Sequence, residues 1–499
     1  MTLPTVEIIV ADNGANTALQ LPQQVVQVVL GCSSKGTELV PYATTVASKL
    51  VDQFGYGPLV EAAGLVCSSG GVVIAQRLPI NAAGTAKAVQ FTGTGSSVIT
   101  VTLDGTVGAF DDYYVRMDVA KGGTIGTAGI QIRVSLDAGR HFGPTINLGT
   151  ANTYEIPNTG ITLNFAAGDL DTGDKAQFQT IAPQWDTAGV QAAVNALAAS
   201  VFAVQGWGSM HLAGPCAAAD ASTIQGYIEG LRTRYNFARI LLSARDADAP
   251  TAWGGSGETE AAWMTSLETA FAATSAKRIV VGGGYYNTPS AFPNAAAGTP
   301  SYRRPGTWSV AARRVLLQPN NSSWRVRDGS LANIVVDPST DPGDGFIYHD
   351  EAITPGLDDA RLMSFRTWPK KPGIFCTRDP LMSPVGSQFT LLPYGNVIDL
   401  ACTIGYETGV EIVGDDLLTN DNGTLQTDAA LTLQNGIQGA IQANMGGMIS
   451  NVVVAVDLSA NVQSTGNIPV DITVTQRTVI GKVTETVGLS IPFGAPTAA

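Results

Sequence analysis

Between residues 81 and 180 the helical periodicity of the flanking sequence stops. In its place come short runs that alternate apolar with polar residues, at 97–103, 130–136 and 161–165. Asp104-Gly105 and Asp137-Ala138-Gly139 follow the first two runs as turn signals. Alternation with period two puts one face of each strand toward a core and the other toward solvent. Many such strands, separated by turns at regular spacing, predict an all-β sandwich.

On both sides of this stretch, strands alternate with helices. Residues 25–30 read as a β-branched strand, and 31–36 as a small-residue loop. Thr44-Thr45 stand where they can cap a helix over 46–54, and Pro58 opens a second helix. Gly70-Gly71 end that helix, and 72–75 form the next strand. The pattern resumes with an alanine-rich helix over 188–203 and a helix over 222–235, where Ile224, Tyr227, Ile228 and Leu231 recur at helical spacing. A strand at 239–243, a helix at 260–274 and a strand at 278–284 follow. This alternation predicts βαβ units with at least partly parallel pairing. Residues 288–307, rich in Pro, Ala and Gly, read as a loop.

The C-terminal part reads as β-rich with one helix. Leu433, Ile437, Ile441, Met445 and Met448 form an apolar stripe over 428–448. Strands are expected at 451–458, 468–479 and 483–491. The first twenty residues read as an arm, since the strand-like run around Val6, Ile8 and Val10 has no hairpin partner nearby. The expected fold class is α+β and multidomain. An arm (1–20) leads into an α/β body (21–80 and 181–360) that carries an inserted β-sandwich (81–180). A C-terminal helix-plus-sheet domain (361–480) and a terminal strand and arm (481–499) complete it.

Charge narrows the partners. Charged residues make up 14% of the chain, against ~25% in an average soluble protein. A hydrophobic content of 44% is inconsistent with bulk disorder. The net charge of −13 and pI near 4.7 argue against nucleic acid and anionic membranes as partners. Only nine of the 28 basic residues are lysine, and arginine is the cation favoured where surfaces become interfaces. Residues 301–330 carry a net +5 through Arg303, Arg304, Arg313, Arg314, Arg325 and Arg327, whereas 401–499 carry a net −7. Opposite patches either join copies head to tail or pair within the chain. In the first reading Arg303, Arg304, Arg313 and Arg314 are the inter-subunit patch.

No motif for chemistry emerges. The three histidines, His141, His211 and His349, fit no zinc pattern, and no nucleophile elbow or phosphate-binding loop is present. Ser209 and His211 are close in sequence, which a triad does not require. The acidic runs at 169–174 and 337–344 depart from the EF-hand spacing and read as solvated turns. Cys32, Cys67, Cys216, Cys376 and Cys402 form no CxxC pair, so buried free thiols in a reducing compartment are expected. No cofactor, metal or catalytic residue is therefore expected. Met1-Thr2-Leu3-Pro4 lacks the basic start of a secretory signal, which points to folding in a cytoplasm.

Several segments resemble contractile bacteriophage tail sheath proteins of the Mu-like type. The first spans Pro41-Tyr42-Ala43-Thr44-Thr45-Val46, Phe54-Gly55-Tyr56-Gly57-Pro58 and Gly70-Gly71-Val72-Val73-Ile74. Ser135-Leu136-Asp137-Ala138-Gly139-Arg140 and Gly160-Ile161-Thr162-Leu163 resemble the outward-facing sandwich of larger sheaths. Phe365-Arg366-Thr367, Gly373-Ile374-Phe375 and Gly395-Asn396-Val397-Ile398-Asp399 resemble the stretch that enters the family's C-terminal domain.

The resemblance implies a structural virion protein and no enzyme. It implies hexameric rings stacked helically around a tail tube, with baseplate and tail terminator proteins as further partners. It also implies assembly in the host cytoplasm, no membrane insertion, and strand exchange between subunits through the terminal arms. Val6, Ile8, Val10, Val483, Val487, Leu489 and Ile491 are the residues suited to that exchange. The C-terminal domain would face the tube, with Gln434, Gln438 and Gln442 on the polar side of its helix. The alternatives are a secreted surface protein or adhesin, or a hydrolase with a cryptic site.

Overall fold

A computed structural model describes residues 26–335 and 345–484. The chain is a mixed α+β protein with several separate sheets. The largest α/β sheet has six strands in the order Ile279–Gly282, Ile240–Ser243, Ser209–Pro215, Val26–Gly31, Val72–Arg77 and Pro41–Thr44. The first five run parallel, and Pro41–Thr44 closes the edge antiparallel to Val72–Arg77. Both faces are covered, which is why its central strands are apolar without alternation. Val28, Leu30, Met210, Leu212, Ile240 and Leu242 pack under helices Thr187–Ala198, Ala218–Gly230 and Glu260–Phe271. On the opposite face Val29, Val73, Ala75 and Ala213 meet helices Ala47–Phe54 and Pro58–Ser68, with Trp308 and Ala312 of helix Gly306–Arg314.

Residues 85–181 contribute strands only. Ile146–Asn147, Gln131–Ser135, Tyr114–Lys121, Lys175–Ile181 and Thr85–Ala86 lie side by side, and Gln90–Thr92 also pairs with Lys175–Ile181. Thr153–Ile156, Ile161–Phe165 and Ile99–Leu103 form a second, antiparallel sheet. Ile161, Leu163 and Phe165 of this sheet share one apolar cluster with Val115, Met117, Ile132, Val134 and Phe178 of the other.

The expected loop over 288–307 shrinks to residues 290–300. Tyr285–Pro289 and Ser301–Pro305 pair as an antiparallel hairpin, and helix Gly306–Arg314 follows directly. The proline-rich and glycine-rich composition hid a hairpin held by packing: Ala296, Ala297 and Tyr302 sit in the apolar cluster of the β-rich stretch. The C-terminal part also holds two long helices where one was expected, Leu392–Ile412 and Thr427–Met445. Gly395, Gly405 and Gly409, with several β-branched residues, depress the helical propensity of the first. Thr44 and Thr45 do not cap helix Ala47–Phe54 with a side chain; instead the Thr44 hydroxyl accepts from the Val46 N–H at 3.0 Å.

Candidate inter-subunit surfaces

The arginines singled out in the sequence are drawn into the chain. On strand Ser301–Pro305, neighbouring side chains point to opposite faces. Arg304 turns toward the β-rich stretch and forms a bidentate pair with Asp111, at 2.9 and 2.6 Å, and both residues are buried. Its guanidinium also lies over the rings of Tyr302 and Trp308. Arg303 turns the other way. It grips Asp246 at 2.5 and 2.8 Å, donates to the Ile347 carbonyl, and lies among Tyr285, Phe346 and Tyr348. Arg314 is buried and donates to the Asn321 carbonyl at 2.6 Å, and half-buried Arg313 donates to the Gly329 carbonyl. Arg303 and Arg304 thus pair with carboxylates of the same chain, neither of them among the acids after residue 401, whereas Arg313 and Arg314 donate to backbone carbonyls.

The same hairpin joins the α/β sheet to the β-rich stretch. The Asn294 side-chain amide donates to the Pro157 carbonyl at 2.6 Å, and the Ser301 N–H donates to Asp137 at 2.9 Å. Around Arg304 the charges do not balance. Asp112 accepts from the Ala182 N–H, and buried Glu61 accepts from the Ser290 hydroxyl at 2.7 Å. Burial pushes the Glu61 carboxyl up to about 7, with Arg304 opposing and Asp111 adding to the shift. Burial and the adjacent Asp111 push Asp112 up to about 6.

The terminal sheet is built differently. Ile449–Val456 and Val470–Gln476 pair antiparallel, with Val452 opposite Val474 and Val454 opposite Ile472. Its inner face, Ile449, Val452, Val454 and Ile472, packs on Leu433, Ile437, Ile441 and Met445 of the terminal helix. Val397, Ala401 and Ile404 of the preceding helix complete the cluster. Val453, Ala455, Asp471 and Thr473 are exposed on the outer face. Among the described residues neither strand pairs with a third, so both edges present unpaired backbone groups. No charged residue lies between Asp428 and Asp457. Of the expected tube-facing glutamines, Gln442 is exposed and Gln434 and Gln438 are half-buried. Val483 is exposed and outside any strand, whereas Val6, Ile8, Val10, Val487, Leu489 and Ile491 lie outside the described residues.

The groups examined for chemistry are held in structural roles. The Ser209 hydroxyl donates to Gln27 rather than to His211. Burial pushes His211 down to about 3 and so keeps it neutral. His349 lies between Glu260 at 2.8 Å and Glu351 at 2.9 Å, and His141 bonds Asp137. In the acidic run 169–174, Asp174 accepts from the N–H groups of Thr94 and Asp171 and so closes a turn. The run at 337–344 lies outside the described residues. Burial pushes Cys32 and Cys402 up to about 12, so these thiols stay protonated.

No curated protein matches the chain. Among solved structures, the chain is similar to the sheath tail protein from Desulfitobacterium hafniense at 11% identity and a TM-score of 0.44, covering 91% of this chain and 94% of that one. It is similar to the sheath tail protein from Listeria innocua at 10% identity and a TM-score of 0.41, covering 93% and 96%. The contracted helical sheath of the anti-feeding prophage aligns at 9% identity and a TM-score of 0.47, covering 98% and 99%. The model of the DUF2586 N-terminal domain matches residues 3–380, which is more than half of the sequence. The chain therefore belongs to the DUF2586 family.

Proposed function

We propose that this chain is the structural subunit of a contractile bacteriophage tail sheath. In this reading it polymerises as stacked hexameric rings around a tail tube and contracts to drive the tube through the host envelope. The tube, baseplate and tail terminator proteins are its partners in the virion. The observation that carries the reading is the terminal sheet: two strands on a helical support, with both edges unpaired among the described residues. A two-stranded sheet is marginal alone, and open edges accept added strands. The chain's own ends supply β-branched sequence for such strands, around Val6, Ile8 and Val10 and around Val487, Leu489 and Ile491. About six new backbone hydrogen bonds per arm contribute roughly 3–9 kcal/mol before ordering costs.

In the same reading the β-rich stretch 81–180 faces outward and the C-terminal domain faces the tube, through the polar side of helix Thr427–Met445, which is uncharged after Asp428. The test is electron microscopy of the expressed chain beside a variant lacking residues 1–15. Helical tubes or rings are expected from the full chain, and a folded monomer from the truncated one. A full chain that never polymerises, or a truncated chain that assembles normally, overturns the reading. Either outcome returns attention to a surface protein or a cryptic hydrolase.

A further inference from the structure

With Arg303 and Arg304 spent inside the chain, the unpaired cations lie elsewhere. Phe365–Trp368 and Lys371–Cys376 form a two-stranded hairpin that turns through Pro369 and Lys370, and Lys370 has a φ of +63°. The base of this hairpin is buried: Phe365, Ile374 and Cys376 pack with Phe389 and Leu392. Its tip is exposed. Trp368 is 37% exposed, Lys370 and Lys371 are exposed, and the Arg366 guanidinium lies 4.0 Å from the centre of the Trp368 ring. Among the described residues no carboxylate pairs with Arg366, Lys370 or Lys371.

The matching acids lie at the end of the long helix and just after it. Glu411, Asp415, Asp416 and Asp421 are exposed and have no ion-pair partner among the described residues. Apolar side chains are interleaved with them, Val413 at 43% and Leu418 at 67% exposure. Among the described residues no ion pair joins the basic tip to the acidic segment. The hairpin base packs on Leu392, the first residue of the helix, whereas Glu411 is in its last turn and Asp415, Asp416 and Asp421 come after its end at Ile412. Twenty-one residues rising ~1.5 Å each separate these ends by about 30 Å. A tip extending four residues beyond its base spans only about 13 Å of that distance. The remaining gap exceeds the Debye length of about 8 Å at physiological salt.

We propose that the hairpin tip, through Arg366, Trp368, Lys370 and Lys371, docks on the acidic segment 411–421 of a second copy of this chain. Trp368 then covers Val413 and Leu418 while the cations face the carboxylates. Arginine and aromatic residues are the side chains that most often anchor interfaces. Made once per pair of copies, without the reciprocal contact, this docking is heterologous and propagates into rings or helices; made reciprocally, it closes a two-fold dimer that neither ring nor tube would show. This proposal rests on the sheath reading and adds to it a contact separate from strand exchange.

The test mixes unlabelled and ¹⁵N-labelled full chains, joins adjacent amines and carboxylates with a zero-length carbodiimide, and maps the cross-links by mass spectrometry. The same samples are imaged by electron microscopy. Mixed-isotope links from Lys370 or Lys371 to Asp415, Asp416 or Asp421 are expected. Tubes or rings without those links overturn the contact and leave the sheath reading standing. Those links in assemblies that are neither rings nor tubes support the contact and overturn the sheath reading, and a chain that does not self-associate overturns both. A second arm reverses charge. Lys370→Glu with Lys371→Glu is expected to weaken assembly by about tenfold or more, and adding Asp415→Lys with Asp416→Lys to restore it. With circular dichroism showing both variants folded, assembly unaffected by the reversal, or not restored by the swap, overturns the proposal.

Discussion

Nε of Arg239 lies 2.7 Å from Oδ2 of Asp399, and both side chains are buried. Arg239 stands immediately before strand Ile240–Ser243, and Arg278 immediately before its parallel neighbour Ile279–Gly282. The register of these strands brings two guanidiniums side by side at one end of the sheet. Asp399, from the long helix Leu392–Ile412, bridges them by also accepting from Arg278 at 2.9 Å. Glu229 takes the other side of Arg278 at 2.6 Å, and Tyr406, two turns further along the helix, stacks on Tyr235. The helix that supports the terminal sheet is thereby fixed to the α/β sheet by buried charge.

Replacing Asp399 with Ala is expected to be strongly destabilising, because it leaves two buried guanidiniums facing each other. Breaking a buried pair from one side costs about 3–5 kcal/mol. Denaturant unfolding of the full chain measures this, and a loss below about 1 kcal/mol would show that the bridge contributes little.

Gly395→Ala tests the same junction sterically. A methyl group at this position collides with the Arg239 guanidinium. Overpacking of this kind is expected to cost about 1–3 kcal/mol, against a gain of roughly 0.5–1 kcal/mol for Gly436→Ala, at an exposed mid-helix position where a Cβ meets nothing within 4 Å. Thermal melts of the two variants give the comparison.

Glu61 makes stability depend on pH. Its carboxyl keeps its proton up to about 7 in the folded chain, against an ordinary value of 4.5. Between these values the folded chain binds the extra proton, so stability is greatest below pH 4.5 and is lost as pH rises through 7. The loss from this group is on the order of 3 kcal/mol. Glu61→Gln is expected to shrink the difference in urea unfolding between pH 5 and pH 8. A residual slope of the same sign is expected from Asp112, which is raised by burial and by Asp111. An unchanged pH profile in Glu61→Gln would remove Glu61 as its source.

The arginine cluster is expected to divide sharply under mutation. Arg304→Met leaves Asp111 buried without its partner and is expected to cost about 3–5 kcal/mol, part of which a second change, Asp111→Leu, recovers. Arg327→Ala, at a largely exposed side chain, is expected to stay within about 0.5 kcal/mol of the parent. Equal effects from the two single changes would contradict the burial described above.

Local pattern carried the reading wherever the relevant signal repeats within a few residues. The alternation at 161–165 became strand Ile161–Phe165, and the β-branched run at 278–284 became strand Ile279–Gly282. The stripe Leu433, Ile437, Ile441 and Met445 became the buried face of helix Thr427–Met445. The hairpin at 285–305 and the helix Leu392–Ile412 escaped it, because each is held against its local preference by distant partners. Ala296 and Ala297 settle into a cluster formed by residues more than a hundred positions earlier, and Gly395 is where Arg239 comes closest to the helix backbone.

The candidate surfaces divide the same way. The sequence by itself determined the β-rich interruption, the alternation of strands and helices around it, the apolar stripe of the terminal helix and the unequal distribution of charge. Only the tertiary structure decided which charges remain available to a partner. Arg304 and Asp111 are 193 residues apart in the chain yet form a buried bidentate pair, whereas Lys370 and Lys371 project from a hairpin tip. Secondary structure follows from contacts within a turn or two, which periodicity records. A buried ion pair depends on which distant segments pack together, and no local pattern carries that information.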